Sequence, residues 1–265
     1  MIGTYKMLSF HKNPDLLSHH RLFGLIGYPL SHSFSKKYFT QKFEEEGISD
    51  TFYELFPIED IILFPQLIKS YPNLSGLNVT IPYKEQVIPY LHQLDESANE
   101  IGAVNVIKIK NGRLTGHNTD AYGFEVSLRN FLQTNDISNI QALVLGTGGA
   151  AKAVMYVLRK MGIMHQSVSR EASKANLTYE VLDKALMNEF RLIINTSPVG
   201  MLPNIESYPN IPYYCLSNRH LLFDLVYNPP ETVFLKKGKN YGAKTCNGME
   251  MLHLQAEHAW STWNG

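Results

Sequence analysis

The sequence predicts a two-domain α/β protein, with a mixed sheet in the first domain and a second α/β alternation in the other. Three observations support this fold class. Residues 21–107 alternate between short apolar runs and segments of helical period, which is typical of parallel strands joined by helical crossovers. Asn111-Gly112 is a strong hairpin signal, so Arg113–Gly116 is expected to pair back antiparallel. A second α/β alternation begins at Gln141.

The first domain is expected to begin with a strand over 21–27, which is apolar and ends in glycine. A helix is expected over 35–47, because Tyr38, Phe39 and Phe43 recur at helical spacing. The next expected elements are a strand at 51–56, a helix around 58–69, a strand through 76–82, a strand at 102–109 and the returning strand at 113–116.

The second domain is expected to begin near 120–122, where the chain becomes helical to about Gln133. A strand over 141–145 then leads through a glycine turn into a helix that runs to Met161 and is capped by Gly162. The remaining expected elements are strands at 163–168, 192–194 and 223–227 and a C-terminal helix that opens near Asn247. Residues 1–20 show no clear period and are treated as an N-terminal extension.

The composition argues against several classes of function. Lysine plus arginine equals aspartate plus glutamate, 24 against 24, so nucleic acid and anionic membranes are not expected partners. No apolar run approaches the roughly 18 residues of a membrane helix, and the N-terminus lacks the apolar core of a signal peptide. Cys215 and Cys246 have no metal or redox spacing and are expected to be reduced thiols in a cytoplasmic protein. No metal site is expected, and three histidines are expected in a solvated tail: His11, His19 and His20.

A glycine loop follows the strand over 141–145. Gly146, Gly148 and Ala151 match the fingerprint in which the first glycine allows a tight turn and the second lets a pyrophosphate approach the backbone. The small third residue lets helix and strand pack closely, and the helix N-terminus offers free N–H groups to the anion. Because the loop lies between an apolar strand and a helix, it predicts a Rossmann-type cofactor site.

Residues about 20 positions further along decide between NAD and NADP. Arg170 and Lys174 are suited to a 2′-phosphate, which favours NADP. Glu171 favours the ribose diol of NAD, because a carboxylate repels a phosphate. The alternative is that Glu171 and Lys174 are only solvated helix residues.

Polar side chains also follow the first and third strands. Ser31 and Ser33 carry two hydroxyls to the edge of the sheet where α/β proteins bind ligands, although Ser33 or Ser35 alternatively caps the next helix. Asn78 and Thr80 lie two residues apart in the stretch GLNVTIPYK, so their side chains leave the same face of the strand. The proline that follows ends the strand and delivers a lysine to this edge, beside a short helix. From spacing alone, Asp120 is expected to be the N-cap of the helix after it.

Eight stretches, taken in order, resemble the shikimate dehydrogenase family from about residue 22 to the C-terminus. They are GYPLSHSFS, GLNVTIPYKE, GAVNVI, GHNTDAYGF, LGTGGAAKA, INTSPVGM, DLVYNPPET and NGMEMLHLQAEHAW. The resemblance implies a substrate-binding domain over 21–121 and 248–265, with a Rossmann NADP-binding domain over 122–247 inserted between its parts.

The family's motifs carry functional roles onto matching residues of this chain. By this resemblance Lys84 and Asp120 are the catalytic pair. Those implied to contact the substrate or to fix the pair are Ser31, Ser33, Asn78, Thr80, Asn105, Tyr227 and Gln255. Those implied to line the cofactor are Gly146, Thr147, Gly148, Gly149, Ala150, Ser169, Arg170, Lys174, Thr196, Leu225 and Gly248.

The implied activity is reversible reduction of 3-dehydroshikimate to shikimate by NADPH, in a monomer or homodimer. Two departures from the family bear on it: Ser169-Arg170-Glu171 replaces the usual Asn-Arg-Thr, and Asn247 replaces an aspartate. An NAD-preferring quinate/shikimate dehydrogenase is therefore an alternative. A non-catalytic sensor of dinucleotide or ligand is a second alternative, and a dehydrogenase of another substrate, such as a folate derivative, is a third.

Overall fold

The computed structural model describes residues 13–30, 33–133 and 139–265 and divides the chain into two compact units. The first unit runs to Asn118 and includes Ala259–Gly265, and the second is Thr119–His258. Ser31 and His11 lie outside the described residues. The domain limits expected from the sequence, 21–121 with 248–265 and 122–247, stay predictions.

The first unit contains a mixed six-stranded sheet with the order β2-β1-β3-β5-β6-β4. Its strands are β1 (Arg21–Gly27), β2 (Thr51–Pro57), β3 (Leu74–Val79), β4 (Gln93–Leu94), β5 (Val106–Lys110) and β6 (Arg113–His117). Strand β1 pairs in parallel with β2 and β3, whereas β5 is antiparallel to both β3 and β6. The predicted hairpin and the predicted mixed sheet are therefore confirmed.

Helices and apolar side chains cover both faces of this sheet. The helices are α1 (Phe34–Glu45), α2 (Phe64–Ser70) and α3 (Glu96–Ile101), with 3-10 turns at Pro14–Ser18, Ile61–Leu63 and Ile88–Tyr90. Phe23 packs on one face against Phe43, Trp260 and Trp263, while Leu22 faces the core on the other side. This arrangement follows the alternation of side chains along a strand.

The second half of the N-terminal extension is part of the first unit. Leu16, in the 3-10 turn, is buried in the core, and the side chain of Asn73 donates hydrogen bonds to the carbonyls of Leu16 and His19. The His19 ring stacks on Phe52 at a centroid distance of 4.7 Å. The expectation of a solvated tail is therefore wrong for His19, because neighbouring apolar residues anchor this segment on the sheet.

The second unit contains a six-stranded parallel sheet with the order β12-β11-β10-β7-β8-β9. Its strands are β7 (Gln141–Leu145), β8 (Met164–Ser169), β9 (Leu177–Thr178), β10 (Leu192–Asn195), β11 (Leu221–Asp224) and β12 (Lys244–Cys246). Its helices are α4 (Thr119–Leu132), α5 (Gly149–Lys160), α6 (Lys184–Glu189), α7 (Val233–Asn240) and the start of α8 (Met249–Asn264).

Strand order in this sheet reverses at β7. The chain proceeds from β7 through β8 to β9 on one side, and from β10 to β12 on the other. Ligands of open parallel sheets bind at the carboxyl ends of the strands beside such a reversal. The loops after β7 and β10 are therefore the expected position of a cofactor. The two-domain α/β fold class is confirmed, whereas the sequence did not predict β4, α3, β9, α6, α7 or β12.

Candidate active site

The carboxyl ends of β1 and β3 are joined by backbone hydrogen bonds. The amide of Thr80 donates to the carbonyl of Ile26 at 2.9 Å, and the amide of Tyr28 donates to the carbonyl of Ile81 at 3.1 Å. Thr80 lies one residue beyond the end of β3, so the ladder stops before Pro82 as predicted. These bonds hold the segment that follows β1 beside the segment that carries Thr80.

Asn78 is held by a tyrosine that sequence reasoning missed. The hydroxyl of Tyr53 donates to Oδ1 of Asn78 at 2.7 Å, and both side chains are buried. Burial raises the pKa of Tyr53, although a hydrogen bond with the Ser35 side chain opposes this. The sequence shows only that β2 carries a tyrosine hydroxyl at an inward-facing position. It does not indicate which side chain the hydroxyl meets.

Three segments meet around the peptide groups of residues 103–105. The amide of Val104 donates to the carbonyl of Lys84 at 2.7 Å, and the side chain of Asn118 donates to the carbonyl of Ala103 at 2.8 Å. The amide of Asn105 donates to the carbonyl of His117 at 3.1 Å. The expectation of a short helix that starts beside Lys84 is wrong. Turns follow Lys84, and the 3-10 turn begins only at Ile88.

Ser33 occupies the N-cap position of α1, but its hydroxyl makes no capping hydrogen bond. Its Oγ is buried and has no hydrogen-bond partner in the described part of the chain. Ser35 lies inside α1, and Ser33 lies at the N-cap without a side-chain hydrogen bond, so neither hydroxyl caps this helix. A buried hydroxyl without a partner is costly unless a ligand completes its hydrogen bonds.

Asp120 and Gln255 lie on two helices that touch in the second unit. Asp120 is buried in the first turn of α4, which begins at Thr119, so the expectation of an N-cap is wrong. One turn later, a Cβ added to Gly123 would lie 2.6 Å from the carbonyl oxygen of Met251 and 3.1 Å from Cβ of Gln255. Glycine therefore permits the close approach of α4 and α8 that brings these two predicted site residues onto neighbouring helices.

The glycine loop joins β7 to α5 as expected. Gly146 has φ +124, a conformation that L side chains rarely adopt, and a Cβ there would lie 2.6 Å from Oγ1 of Thr196. Thr196 donates its hydroxyl to the carbonyl of Leu145 at 2.8 Å. Gly148 is the N-cap of α5, and an added Cβ would meet nothing within 4 Å. The open space before a 12-residue helix fits the pyrophosphate of a dinucleotide.

Gly149 and Ala150 begin α5 directly after this N-cap. Together with Thr147, they complete the loop that the resemblance assigns to the cofactor. Ala151 is fully buried, as the fingerprint requires of its third position.

Lys174 is paired with Glu171 in the stretch after β8. Its Nζ lies 2.9 Å from a carboxylate oxygen of Glu171, and both side chains are more than half exposed, at 57% and 59%. The hydroxyl of Ser169 accepts from the amide of Glu171 at 3.2 Å. Arg170 lies close enough to Tyr179 to act against the effect of burial, which raises the pKa of that phenol. A bound 2′-phosphate would compete with the carboxylate of Glu171 for the ammonium group of Lys174.

Leu225 and Gly248 approach each other through their backbones. A Cβ added to Gly248 would overlap the carbonyl oxygen of Leu225, and the amide of Gly248 donates to the carbonyl of Val226 at 3.2 Å. The amide of Leu225 donates to the carbonyl of Asn195 at 2.9 Å. Tyr227 follows on the same loop, and burial raises the pKa of its phenol.

The described residues contain neither a metal-binding cluster nor a membrane-spanning helix. Across 13–30, 33–133 and 139–265, no three side chains of the His, Cys, Asp or Glu type are grouped to hold a metal ion. Over the same ranges, no helix has the length and apolar character needed to cross a membrane.

Comparisons with known proteins give a consistent picture. The family model described as the shikimate dehydrogenase substrate binding domain matches residues 25–107. The chain is 39% identical to the NADP(+) shikimate dehydrogenase of Halothermothrix orenii, over 91% of this chain and 90% of that protein.

Solved structures resemble the chain along nearly its whole length. Thermus thermophilus shikimate 5-dehydrogenase, in complex with NADP(H) and shikimate, superposes with a TM-score of 0.80 at 31% identity, covering 92% of this chain and 94% of that one. Quinate dehydrogenase from Corynebacterium glutamicum, in complex with NAD, gives 0.82 at 27% identity, covering 93% and 94%. The resemblance drawn from the motifs is therefore confirmed.

Proposed function

The chain belongs to the shikimate dehydrogenase family, and on this premise we propose that it reduces 3-dehydroshikimate reversibly to shikimate with NADPH, using Lys84 and Asp120 as the acid–base pair. The observation that supports this best is the set of hydrogen bonds around 103–105. It ties the peptide of Lys84 and the side chain of Asn118 to one short stretch of backbone. Asp120 follows Asn118 by two residues in the chain.

The acid–base step is assigned to Lys84. As the substrate ketone is reduced, negative charge develops on its oxygen, and the ammonium of Lys84 stabilises this charge and donates a proton. The carboxylate of Asp120 accepts a hydrogen bond that orients the amine. In the oxidative direction, neutral Lys84 removes the proton of the substrate hydroxyl. When bound, NADPH supplies the hydride.

Substrate recognition is assigned to hydroxyl and amide side chains. Ser33 has a buried hydroxyl whose missing partner fits a substrate carboxylate, which Ser31 and Tyr227 would also contact. The proposed contacts to ring hydroxyls are Asn78, Thr80, Asn105 and Gln255. The amide of Asn78 suits this role because Tyr53 fixes its orientation.

The chain is an NADP-dependent oxidoreductase by its family. The loop over 146–150 would hold the pyrophosphate, while Ser169, Arg170 and Lys174 would surround the adenosine end. The rest of the cofactor would be lined by Thr196, Leu225 and Gly248. Because Cys215 and Cys246 are free thiols, we also propose that the enzyme works in the reducing cytoplasm, as a monomer or homodimer.

One observation favours a second candidate. The ion pair of Glu171 with Lys174 withdraws a cation from the 2′-phosphate, and this favours an NAD-linked quinate/shikimate dehydrogenase. One assay tests both candidate functions. The absorbance of reduced nicotinamide is followed with shikimate or quinate as substrate, each with NADP+ or NAD+. Reduction of NADP+ by shikimate is the expected result, whereas preference for quinate with NAD+ supports the second candidate.

Two further results would contradict the proposed chemistry. Binding of NADP+ without turnover of shikimate or quinate would favour a sensor. Asp120→Asn is expected to bind NADP+ but to lose turnover, so near-normal turnover in this variant would remove Asp120 from the mechanism.

A further inference from the structure

Asn195 and Asp224 are register partners at the last positions of β10 and β11. Both side chains are fully buried, and Nδ2 of Asn195 donates to Oδ1 of Asp224 at 2.9 Å. Burying a carboxylate is unfavourable unless donors surround it. This pair lies at the edge of the sheet where the cofactor is proposed to bind.

The carboxylate of Asp224 accepts three hydrogen bonds. Besides Asn195, the amide of Val226 donates to Oδ1 at 3.0 Å, and the hydroxyl of Thr232 donates to Oδ2 at 2.6 Å. Thr232 is also the N-cap of α7, where its Oγ1 accepts from the amide of Leu235. Asp224 thus links the loop after β11 to the first turn of the next helix.

Asn195 extends the same network into the loop after β10. Its Oδ1 accepts from the amide of Ser197 at 3.1 Å and from the Ser197 hydroxyl at 2.7 Å, and its Nδ2 also donates to the carbonyl of Val199 at 3.2 Å. Every polar atom of the amide is used, so its orientation is fixed. A fixed amide transmits the position of the carboxylate to this loop.

The two loops joined by this network carry residues already assigned to the cofactor. Thr196 follows Asn195 and lies against Gly146, and Leu225 follows Asp224 and lies against Gly248. None of the hydrogen bonds of Asp224 goes to a predicted ligand-binding side chain. Its effect on a ligand must therefore pass through the backbone of the loops.

We infer that Asp224 is a positioning residue for NADP, whose buried carboxylate sets the spacing between the loop after β10 and the loop after β11. This inference rests on the proposed function. Removing the carboxylate leaves β11 and its core in place but frees two loops that must be held together when the dinucleotide binds. The expected signature is a loss of cofactor affinity larger than the loss of fold stability explains.

The opposite end of β11 offers a matched control. His220 directly precedes this strand and is also buried. It donates from Nε2 to the carbonyl of Met187 at 2.8 Å, while Nδ1 accepts from the amide of Ser217. It is a buried polar side chain in the same unit but lies at the edge away from the glycine loop. His220→Ala tests what general destabilisation alone does to NADP+ binding.

The test measures dissociation constants for NADP+ by calorimetry, together with melting temperatures and kcat, on the full chain. Asp224→Asn keeps the shape of the side chain but turns an amide donor toward Thr232, and it is expected to weaken NADP+ binding about tenfold. Asp224→Ala is expected to weaken NADP+ binding about a hundredfold. Small displacements in a binding site have effects of this size. Thr232→Val is expected to resemble Asp224→Asn, and Thr232→Ser, which keeps the hydroxyl, is expected to restore wild-type binding.

Each outcome supports the inference or overturns it. The graded series with normal binding by His220→Ala supports it. Binding of NADP+ within twofold of wild type by both Asp224 variants overturns it, as does an equal loss in His220→Ala at an equal drop in melting temperature. If Asp224→Ala does not fold, the test uses the NADP+ affinities of Asp224→Asn, Thr232→Val and Thr232→Ser. Absence of NADP+ binding by the wild type would instead refute the proposed function and the inference with it.

Discussion

The Tyr53 hydroxyl and Oδ1 of Asn78 are joined by a buried hydrogen bond of 2.7 Å that links β2 to β3 across β1, the strand between them. The bond uses the acceptor of the amide. It therefore leaves Nδ2, whose distance to the carbonyl of Asn105 is a long 3.5 Å, as the group that can meet a ligand oxygen. An asparagine without this tyrosine would be able to present either end.

Tyr53→Phe is expected to raise KM for shikimate about three- to tenfold, since a hydrogen bond is worth about 0.5–1.5 kcal/mol, while kcat changes little. Steady-state kinetics measure this. Tyr83→Phe is the matched control, because it removes another buried hydroxyl, which donates to the carbonyl of Ile58 at 2.6 Å. An equal rise in KM in both variants would mean that Tyr53 acts only through the stability of the first unit.

Ser33→Ala is expected to separate stability from binding. Its hydroxyl is buried without a partner in the described chain, so its removal should leave the melting temperature unchanged or raise it. The same change should raise KM for shikimate about ten- to hundredfold, because a hydrogen bond to a charged group is worth about 1.5–3 kcal/mol. Ser75→Ala is the control, because it removes a half-buried hydroxyl of β3 whose hydrogen bond to the carbonyl of Asn73 is a long 3.4 Å. A drop in melting temperature without a change in KM would assign Ser33 to the fold.

Lys84→Ala tests the proposed acid. General acid catalysis contributes about 100- to 10,000-fold, so kcat is expected to fall by that order while KM for shikimate stays within about tenfold. Lys110→Ala, which changes an exposed lysine of the β5–β6 hairpin, should leave both constants unchanged. Turnover near the wild-type rate in Lys84→Ala would refute the assignment.

The sequence predicts the parts of this fold that depend on neighbouring residues. The hairpin at Asn111-Gly112 and the strand, glycine turn and helix from Gln141 onward have local signals, and both were predicted correctly. The predicted start of α4, near 120–122, lies after the observed start at Thr119, because Asn-Thr-Asp has the composition of a loop.

The supporting contacts of the site could not be predicted in this way. Tyr53 and Asn78 are 25 residues apart, and Asn195 and Asp224 are 29 apart. Each pair depends on the order of the strands in the sheet and on their register. Local periodicity indicates which face of a strand a side chain occupies, but not which side chain lies opposite it.

Glu171→Gln is expected to release Lys174 for the 2′-phosphate. The pair is exposed, so its own strength is about 0–1 kcal/mol, and the expected effect is a decrease of up to about fivefold in KM for NADP+ with no change for NAD+. Lys174→Gln should instead raise KM for NADP+ and leave KM for NAD+ unchanged. Equal kinetics in the two variants would show that neither side chain contacts the cofactor.

Asp224 should also make the stability of the second unit depend on pH. Burial raises the pKa of this carboxyl to about 6, against the opposing hydrogen bonds from Thr232, the amide of Val226 and Asn195. Since the folded pKa lies above the usual value of 3.8, the folded protein holds this proton more tightly than the unfolded chain. The resulting stabilisation is fully present below about pH 4 and is lost as the pH rises through about 6.

The comparison with Asp224→Asn isolates this effect, because the amide does not titrate. Relative to that variant, the unfolding free energy of the wild type should fall by about 2 kcal/mol between pH 4 and pH 7. Urea unfolding of both proteins, followed on the transition that NADP+ shifts, measures the difference. The neighbouring Tyr213 does not interfere, since burial, Tyr208 and Asp224 all raise the pKa of its phenol and keep it neutral in this range. A constant difference across these pH values would mean that Asp224 is ionised throughout, and that its three donors outweigh its burial.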